Sequence, residues 1–135
     1  MTPLATPEIP VSWGELLDKL TILAIKRRRL TRADALANVA REHDLLAAAA
    51  GPALTHDGIP ALLAALEAVN ADLWDIEDAI RAEEAAARFE AEFIRLARAV
   101  YRRNDDRAAI KRRINDALGS ALVEEKSYAD WNAPR

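Results

Sequence analysis

The chain has 135 residues, enough for one domain with a hydrophobic core, since folding at this size buries roughly two-thirds of the extended surface. Hydrophobic residues make up 51% and charged residues 30%, a balance typical of globular rather than disordered proteins. Nineteen basic and 22 acidic residues leave a formal charge of −3, which predicts no general attraction to nucleic acid. The absence of cysteine excludes disulfides and thiolate metal sites.

The N-terminal segment carries three prolines and no signal for secretion. Pro3, Pro7 and Pro10 predict an extended arm over residues 1–11, followed by a single all-α domain over residues 12–135. A secretory signal would need a basic start and an apolar run, and a membrane span needs roughly 20 apolar residues. Neither pattern occurs, so we expect a cytoplasmic protein without a membrane span.

Capping patterns and helix breakers predict the limits of the helices. Ser12 followed by Glu15 is typical of a capping box, and Thr31 repeats the pattern. Gly51 and Pro52 are expected to end the second helix. The alternation of β-branched residues typical of strands is absent, which predicts an antiparallel helical bundle of four to five helices. The predicted helices are 13–30, 31–50, 60–85, 88–103 and 105–118.

The break near residue 104 is the least obvious of these limits. No proline or glycine interrupts the chain between Pro60 and Leu118, so one very long helix is possible. The apolar pattern changes phase after an alanine-rich segment, however. The sequence Asn104-Asp105-Asp106 is also typical of a helix boundary, because these side chains cap the backbone. We therefore predict two helices here.

An apolar seam and a first helix with two apolar sides bear on assembly. The seam members are Leu62, Leu66, Val69, Leu73, Ile76 and Ile80. Their spacing of three and four residues predicts packing along a partner helix. The first helix is apolar on more than one side, so it lies either at the centre of the domain or against a second subunit. Together these features predict a homodimer.

Polar residues at helical spacing suggest where a ligand could bind. One row lies beside the seam, and another follows residue 104. A row of this kind suits a pocket for a small polar or anionic molecule, with Trp74 as the floor and Glu77 as an acid, base or acceptor. It suits equally a solvated flank or a bundle end where side chains pair. The candidate residues are Lys19, Lys26, Asn70, Trp74, Glu77, Arg81, Arg98, Tyr101, Asn104, Arg107, Lys111 and Asn115.

Metal and nucleic-acid chemistry receive little support. Asp75 and Asp78 are weak candidates for metal ligands, because paired carboxylates on facing helices can hold Mg²⁺. The full succession of acidic pairs expected for a metal-dependent nucleotide pyrophosphohydrolase is missing, and Glu15 is explained as a capping acid. Basic clusters stand beside acidic residues. We therefore predict no metal, no cofactor and no nucleic-acid partner.

Four segments carry a resemblance to a known family: SWGELLDKLTILAIK, VNADLWDIEDAIR, FIRLARAVYRRNDDRAAIKRRIN and LGSALVEEKSY. They resemble an uncharacterised bacterial family of small all-helical proteins, a domain of unknown function of about this length. The resemblance covers nearly the whole chain. It implies the all-α fold, and it implies no reaction.

These observations leave two functional interpretations. The first is a homodimeric helical binding or assembly module that contacts a partner protein or a small polar or anionic ligand. The alternative is a small all-α enzyme acting on a phosphorylated or carboxylated molecule. Convergence of Glu77, Arg107 and Lys111 on one concave pocket would favour a ligand site.

Overall fold

A computed structural model describes residues 1–132 as a bundle of four α-helices, with no strand among these residues. The helices are α1 (Trp13–Arg29), α2 (Ala33–Leu54), α3 (Ile59–Ala85) and α4 (Ala91–Leu118). The prediction of an all-α helical bundle is thus confirmed. Residues 1–12 carry no helix, and residues 1–11 are exposed.

The first helix forms the centre of the bundle and contacts each of the other three helices. Its start is fixed as predicted, because Ser12 Oγ accepts a hydrogen bond from Glu15 N at 3.1 Å. Eight of its 17 residues are buried, with Leu17 at 0% exposure. The two apolar sides of α1 are therefore covered within one chain. A second subunit is not needed to explain them, and the homodimer stays a prediction.

The predicted end of the second helix is wrong, because α2 continues through Gly51 and Pro52 to Leu54. A proline disfavours helical conformation in the residue before it partly through that residue's Cβ. Gly51 has no Cβ, so this clash is relieved. The helix also begins at Ala33 rather than at residue 31, since Leu30 is extended and closes α1 instead.

The predicted helices 88–103 and 105–118 are one helix, and the expected break at residue 104 is wrong. Residues 88–90 belong to the turn before α4. Asp105 and Asp106 do not cap the backbone, because they accept hydrogen bonds from Trp131 Nε1 and Arg103 Nη1. The side of α4 that includes Leu96 and Ile114 is buried on both sides of this sequence, so packing carries the helix through it.

The third and fourth helices form an antiparallel pair whose inner and outer parts differ. Near α1, Leu66 and Val69 of the seam are buried. Further along, Ile76 and Ile80 are only half-buried, and Leu96 is the single buried residue between residues 71 and 110. We refer to residues 71–103 as the outer hairpin.

Within residues 1–132, no helix is both long and apolar enough to cross a bilayer.

Candidate ligand-binding cleft

A cleft of about 400 Å³ opens between α1, α3 and α4. One wall is apolar and includes Ile22, Ile25, Leu73 and the ring of Trp74. The polar lining residues are Asn70, Glu77, Asp78, Arg81, Asn104 and Arg107. Six of the ten lining residues are polar, so the cleft is more polar than most small-molecule sites and suits a ligand that carries a charged group.

The predicted row on α3 lies in this cleft as a unit, since Asn70, Trp74, Glu77 and Arg81 all line it. Helical spacing brings the four side chains to one side of α3. Glu77 and Arg81 form an exposed ion pair at 3.2 Å. Such an exposed pair contributes little to stability, so both side chains can exchange partners with an incoming molecule.

A buried acid holds Arg107 in place at the back of the cleft. Asp18 of α1 is 1% exposed, and its Oδ1 accepts hydrogen bonds from Arg107 Nε at 3.0 Å and from Asn70 Nδ2 at 2.8 Å. Its Oδ2 accepts from Arg107 Nη2. Asn70 Nδ2 also donates to Thr21 Oγ1 at 2.8 Å. Residues from three helices are thereby joined, and the buried carboxylate is well supplied with donors.

This network leaves polar atoms available to a ligand. The hydrogen bond to Asp18 raises the pKa of Arg107 above its ordinary value, so the guanidinium keeps its charge at physiological pH. Within residues 1–132, neither Arg107 Nη1 nor the side chain of Asn104 has a hydrogen-bond partner. Arg107 and Asn104 stand one turn apart on α4 and both line the cleft. They can therefore donate to the same anionic group.

The four residues of the predicted row on α4 lie at two separate places in the structure. Asn104 and Arg107 line the cleft, whereas Lys111 and Asn115 lie further along α4, beside the start of α1. Of the three residues whose convergence would favour a ligand site, Glu77 and Arg107 share the cleft, and Lys111 lies outside it. The sequence pattern could not show this division, because the helix continues without a break.

Lys111 and Asn115 belong instead to a polar joint that fastens α1 to α4. We define the α1–α4 joint as Gly14, Glu15, Lys111, Asn115 and Glu124. Lys111 Nζ donates to Glu15 Oε2 at 2.8 Å and to Glu124 Oε2 at 2.9 Å. Gly14 N donates to Asn115 Oδ1 at 2.7 Å. The carboxylate of Glu15, interpreted from sequence as a capping acid, therefore forms an ion pair between helices.

The charges of the joint stabilise each other. Burial by itself would lower the pKa of the Lys111 ammonium, but the hydrogen bonds to Glu15 and Glu124 outweigh burial and raise it. The hydrogen bond from Lys111 lowers the pKa of Glu124 below its ordinary value. Lys111 is 7% exposed and thus a buried charge with partners on two sides.

The remaining candidates lie outside the cleft. Lys19 is exposed and Lys26 half-buried on α1. Arg98 and Tyr101 are exposed on α4, where the Tyr101 ring packs against Trp131 at 6.0 Å between centroids. These four side chains do not form a site with the α3 row.

The two weak candidates for metal ligands also lie in different surroundings. Asp75 accepts a hydrogen bond from Arg29, whereas Asp78 lines the cleft. Among the described residues, no group of three or more histidine or acidic side chains is arranged to hold a metal ion. The geometry thus gives no argument for metal-dependent pyrophosphate chemistry.

Sequence reasoning missed the central role of Asp18. This residue has no assigned role among the predictions from sequence, although it stands between Leu17 and Leu20 on the buried side of α1. A lone acid in an apolar stripe predicts a buried partner of opposite charge. Arg107 likewise lies in the apolar stripe of α4. Two opposite charges in the apolar stripes of two helices could therefore have predicted the ion pair.

Comparison with known proteins places the chain in a family. No curated protein and no solved structure matches the sequence. The model of a family of unknown function, DUF6165, matches residues 8–134. The chain therefore belongs to the family of unknown function DUF6165.

Proposed function

We propose that the protein is a helical binding module whose cleft between α1, α3 and α4 takes a small molecule with an anionic group and an apolar or ring-shaped portion. The observation that carries this proposal is Arg107, which Asp18 holds rigidly while its Nη1 stays without a partner among residues 1–132. A preorganised guanidinium beside an open cleft is an efficient anion contact, because ordering it costs no further entropy on binding.

The cleft suggests how the ligand lies. A carboxylate or phosphate accepts from Arg107 Nη1 and from the amide of Asn104, one turn away. The apolar portion packs on Trp74 and Leu73, which share the cleft with these donors. Polar substituents face Glu77 at the rim. An anion with an apolar body therefore matches both sides of the cleft.

Binding accounts for the site better than catalysis. An enzyme acting on the same class of molecule would need a positioned acid or base. The acids that line the cleft, Glu77 and Asp78, are exposed, and Glu77 is paired with Arg81. Asp18 is fully engaged by Arg107 and Asn70. The arrangement supports recognition of an anion more directly than it supports proton transfer.

A thermal-shift screen followed by affinity measurement tests the proposal. The panel contains nucleotides, sugar phosphates, aliphatic dicarboxylates and aromatic carboxylic acids, and a bound compound raises the melting temperature by mass action. The cleft variants are Trp74→Ala and Asn104→Ala. The matched control is Asn38→Ala, which removes an exposed asparagine from α2.

We expect at least one carboxylate or phosphate compound to bind, with a Kd raised about 10-fold or more in each cleft variant, as for the loss of one ligand contact. The control should bind like the unmodified protein. The proposal is contradicted if every anionic compound leaves the melting temperature unchanged. It is equally contradicted if bound compounds keep their affinity in both cleft variants.

A further inference from the structure

The outer hairpin carries apolar side chains that nothing else in the described chain covers. Leu96 is its only buried residue. Phe89, just before α4, and Ile94, in its first turn, are each 54% exposed, whereas Ile114 further along the same helix is fully buried. An amphipathic helix pair must bury its apolar sides against a further layer. Arg29, at the end of α1, lies over the ring of Trp74, but Phe89 and Ile94 have no such cover within residues 1–132.

Its two helices also carry opposite charges. Residues 71–85 of α3 contain six acidic side chains and one arginine. Residues 91–103 of α4 contain four arginines and one glutamate. The protein thus presents an acidic helix and a basic helix side by side at the same end of the bundle.

Ion pairs within the chain engage most of the acids and half of the arginines. The paired residues are Asp72, Asp75, Glu77, Glu83, Arg95 and Arg103. Within residues 1–132, Glu84 of α3 has no basic partner, and neither Arg98 nor Arg102 of α4 has a carboxylate partner. The guanidinium of Arg102 instead lies over the ring of Trp131. Charges of both signs therefore remain available on the two helices.

We propose that a second copy of this chain docks on the outer hairpin, with the acidic α3 of one copy along the basic α4 of the other. The receiving face of α4 is a shallow depression of about 270 Å³ that Ile94, Arg98 and Arg102 line. Because each copy carries both the acidic and the basic helix, two copies satisfy each other in both directions. Ile94 becomes covered in the contact.

The residues altered to test the interface lie outside the ligand cleft. Glu84, Ile94, Arg98 and Arg102 do not line that cleft. Variants at these four positions therefore test association without removing a cleft residue. Failure of either proposal leaves the other standing.

Sedimentation velocity on two charge-reversal variants tests the proposal. The first variant carries Arg98→Glu and Arg102→Glu on α4, and the second carries Glu84→Arg on α3. Each variant alone places like charges in contact, so we expect its dimer Kd to rise 10-fold or more. Mixed in equal amounts, the two variants regain opposite charges in both contacts and should associate like the unmodified protein.

Two controls make the result specific. Arg41→Glu reverses an exposed arginine on α2, away from the outer hairpin, and should associate normally. Ile94→Asn should weaken the dimer without changing any charge in the contact. Far-UV circular dichroism confirms that each variant is folded before it is compared.

The proposal is overturned if the unmodified protein sediments as a monomer at concentrations up to several hundred micromolar. The dimer Kd would then be too high for a specific self-association. It is also overturned if Arg41→Glu dissociates the dimer as strongly as the α4 variant. Failure of the mixed variants to associate, with each variant folded, overturns the pairing of α3 with α4.

Discussion

The central helix and the outer hairpin are built from the same kind of amphipathic pattern but end in opposite situations. In α1, Leu17 is fully buried and even the acid Asp18 is covered. In the outer hairpin, Ile76 and Ile80 of the seam are only half-buried, and Ile94 is exposed. An apolar stripe therefore predicts that one side of a helix packs against something. The arrangement of the helices decides whether that side packs within the same chain.

The largest difference is expected for apolar truncations. Leu17→Ala should lower the free energy of unfolding by about 3–5 kcal/mol, because it leaves a cavity at the centre of the bundle. Ile80→Ala in the outer hairpin should cost about 1 kcal/mol, since much of that side chain already meets water. Urea denaturation followed by circular dichroism measures both values. Equal losses at the two sites would remove the distinction between the regions.

Buried and exposed acids should differ in the same way. Asp18→Ala leaves Arg107 without its buried partner, and we expect a loss of about 3–5 kcal/mol in the free energy of unfolding. Asp75→Ala removes the ion pair with Arg29. The Asp75 side chain is 64% exposed, so the free energy of unfolding should fall by less than about 1 kcal/mol. The same denaturation experiment compares them. A small loss for Asp18→Ala would mean that the network does not fasten α1 to α4.

Gly14 and Gly51 differ in how much space surrounds them. A Cβ at Gly14 would stand 2.6 Å from the carbonyl oxygen of Lys111, so Gly14→Ala forces α1 and α4 apart. We expect a loss of about 1–3 kcal/mol. Apart from its chain neighbours, a Cβ at Gly51 meets no atom within 4 Å. It would, however, restore the clash with the Pro52 ring that disfavours helical conformation, and this clash opposes the gain in helix propensity. Gly51→Ala should therefore change the free energy of unfolding by less than about 1 kcal/mol, and thermal unfolding should shift further for Gly14→Ala.

The smallest expected effect concerns the pH dependence of the α1–α4 joint. Lys111 lowers the pKa of Glu124 in the folded protein. The ionised carboxylate therefore stabilises the folded state at pH values above about 4.3, the pKa of a glutamate in the unfolded chain. That contribution is lost as the pH falls through the lower folded value. Glu124→Gln should thus reduce stability at pH 7 by at most about 1 kcal/mol. The difference from the unmodified protein should shrink steadily as the pH is lowered below the unfolded pKa, which denaturation at several pH values measures. A difference that does not change with pH would assign the effect to packing rather than charge.

Local patterns predicted the helices well and their limits less well. The cap at Ser12 and the limits of the third helix, predicted as 60–85 and found as Ile59–Ala85, depend on neighbouring residues, and the structure confirms both. The end of α2 and the continuity of α4 through Asn104 depend on packing by distant helices. Tertiary contacts override weak breakers, so a sequence cannot set these limits by itself.

The cleft was predictable on one side only. Periodicity along α3 grouped Asn70, Trp74 and Glu77 correctly, because one helix fixes their common side. The α4 row was divided by the crossing of α1, which places Arg107 at the cleft and Lys111 in the joint. Which turn of α4 meets which turn of α1 is a tertiary fact without a signal in spacing.

Hydrogen exchange measured by mass spectrometry compares the local stability of the two regions in one experiment, and we expect that stability to be concentrated around α1. At about 1 µM, amides of α1 should exchange only through global unfolding, and those of the middle of the outer hairpin at least about 10-fold faster. Protection of the outer hairpin should rise with protein concentration, because a second copy covers it. Equal protection of both regions in dilute solution would contradict the account.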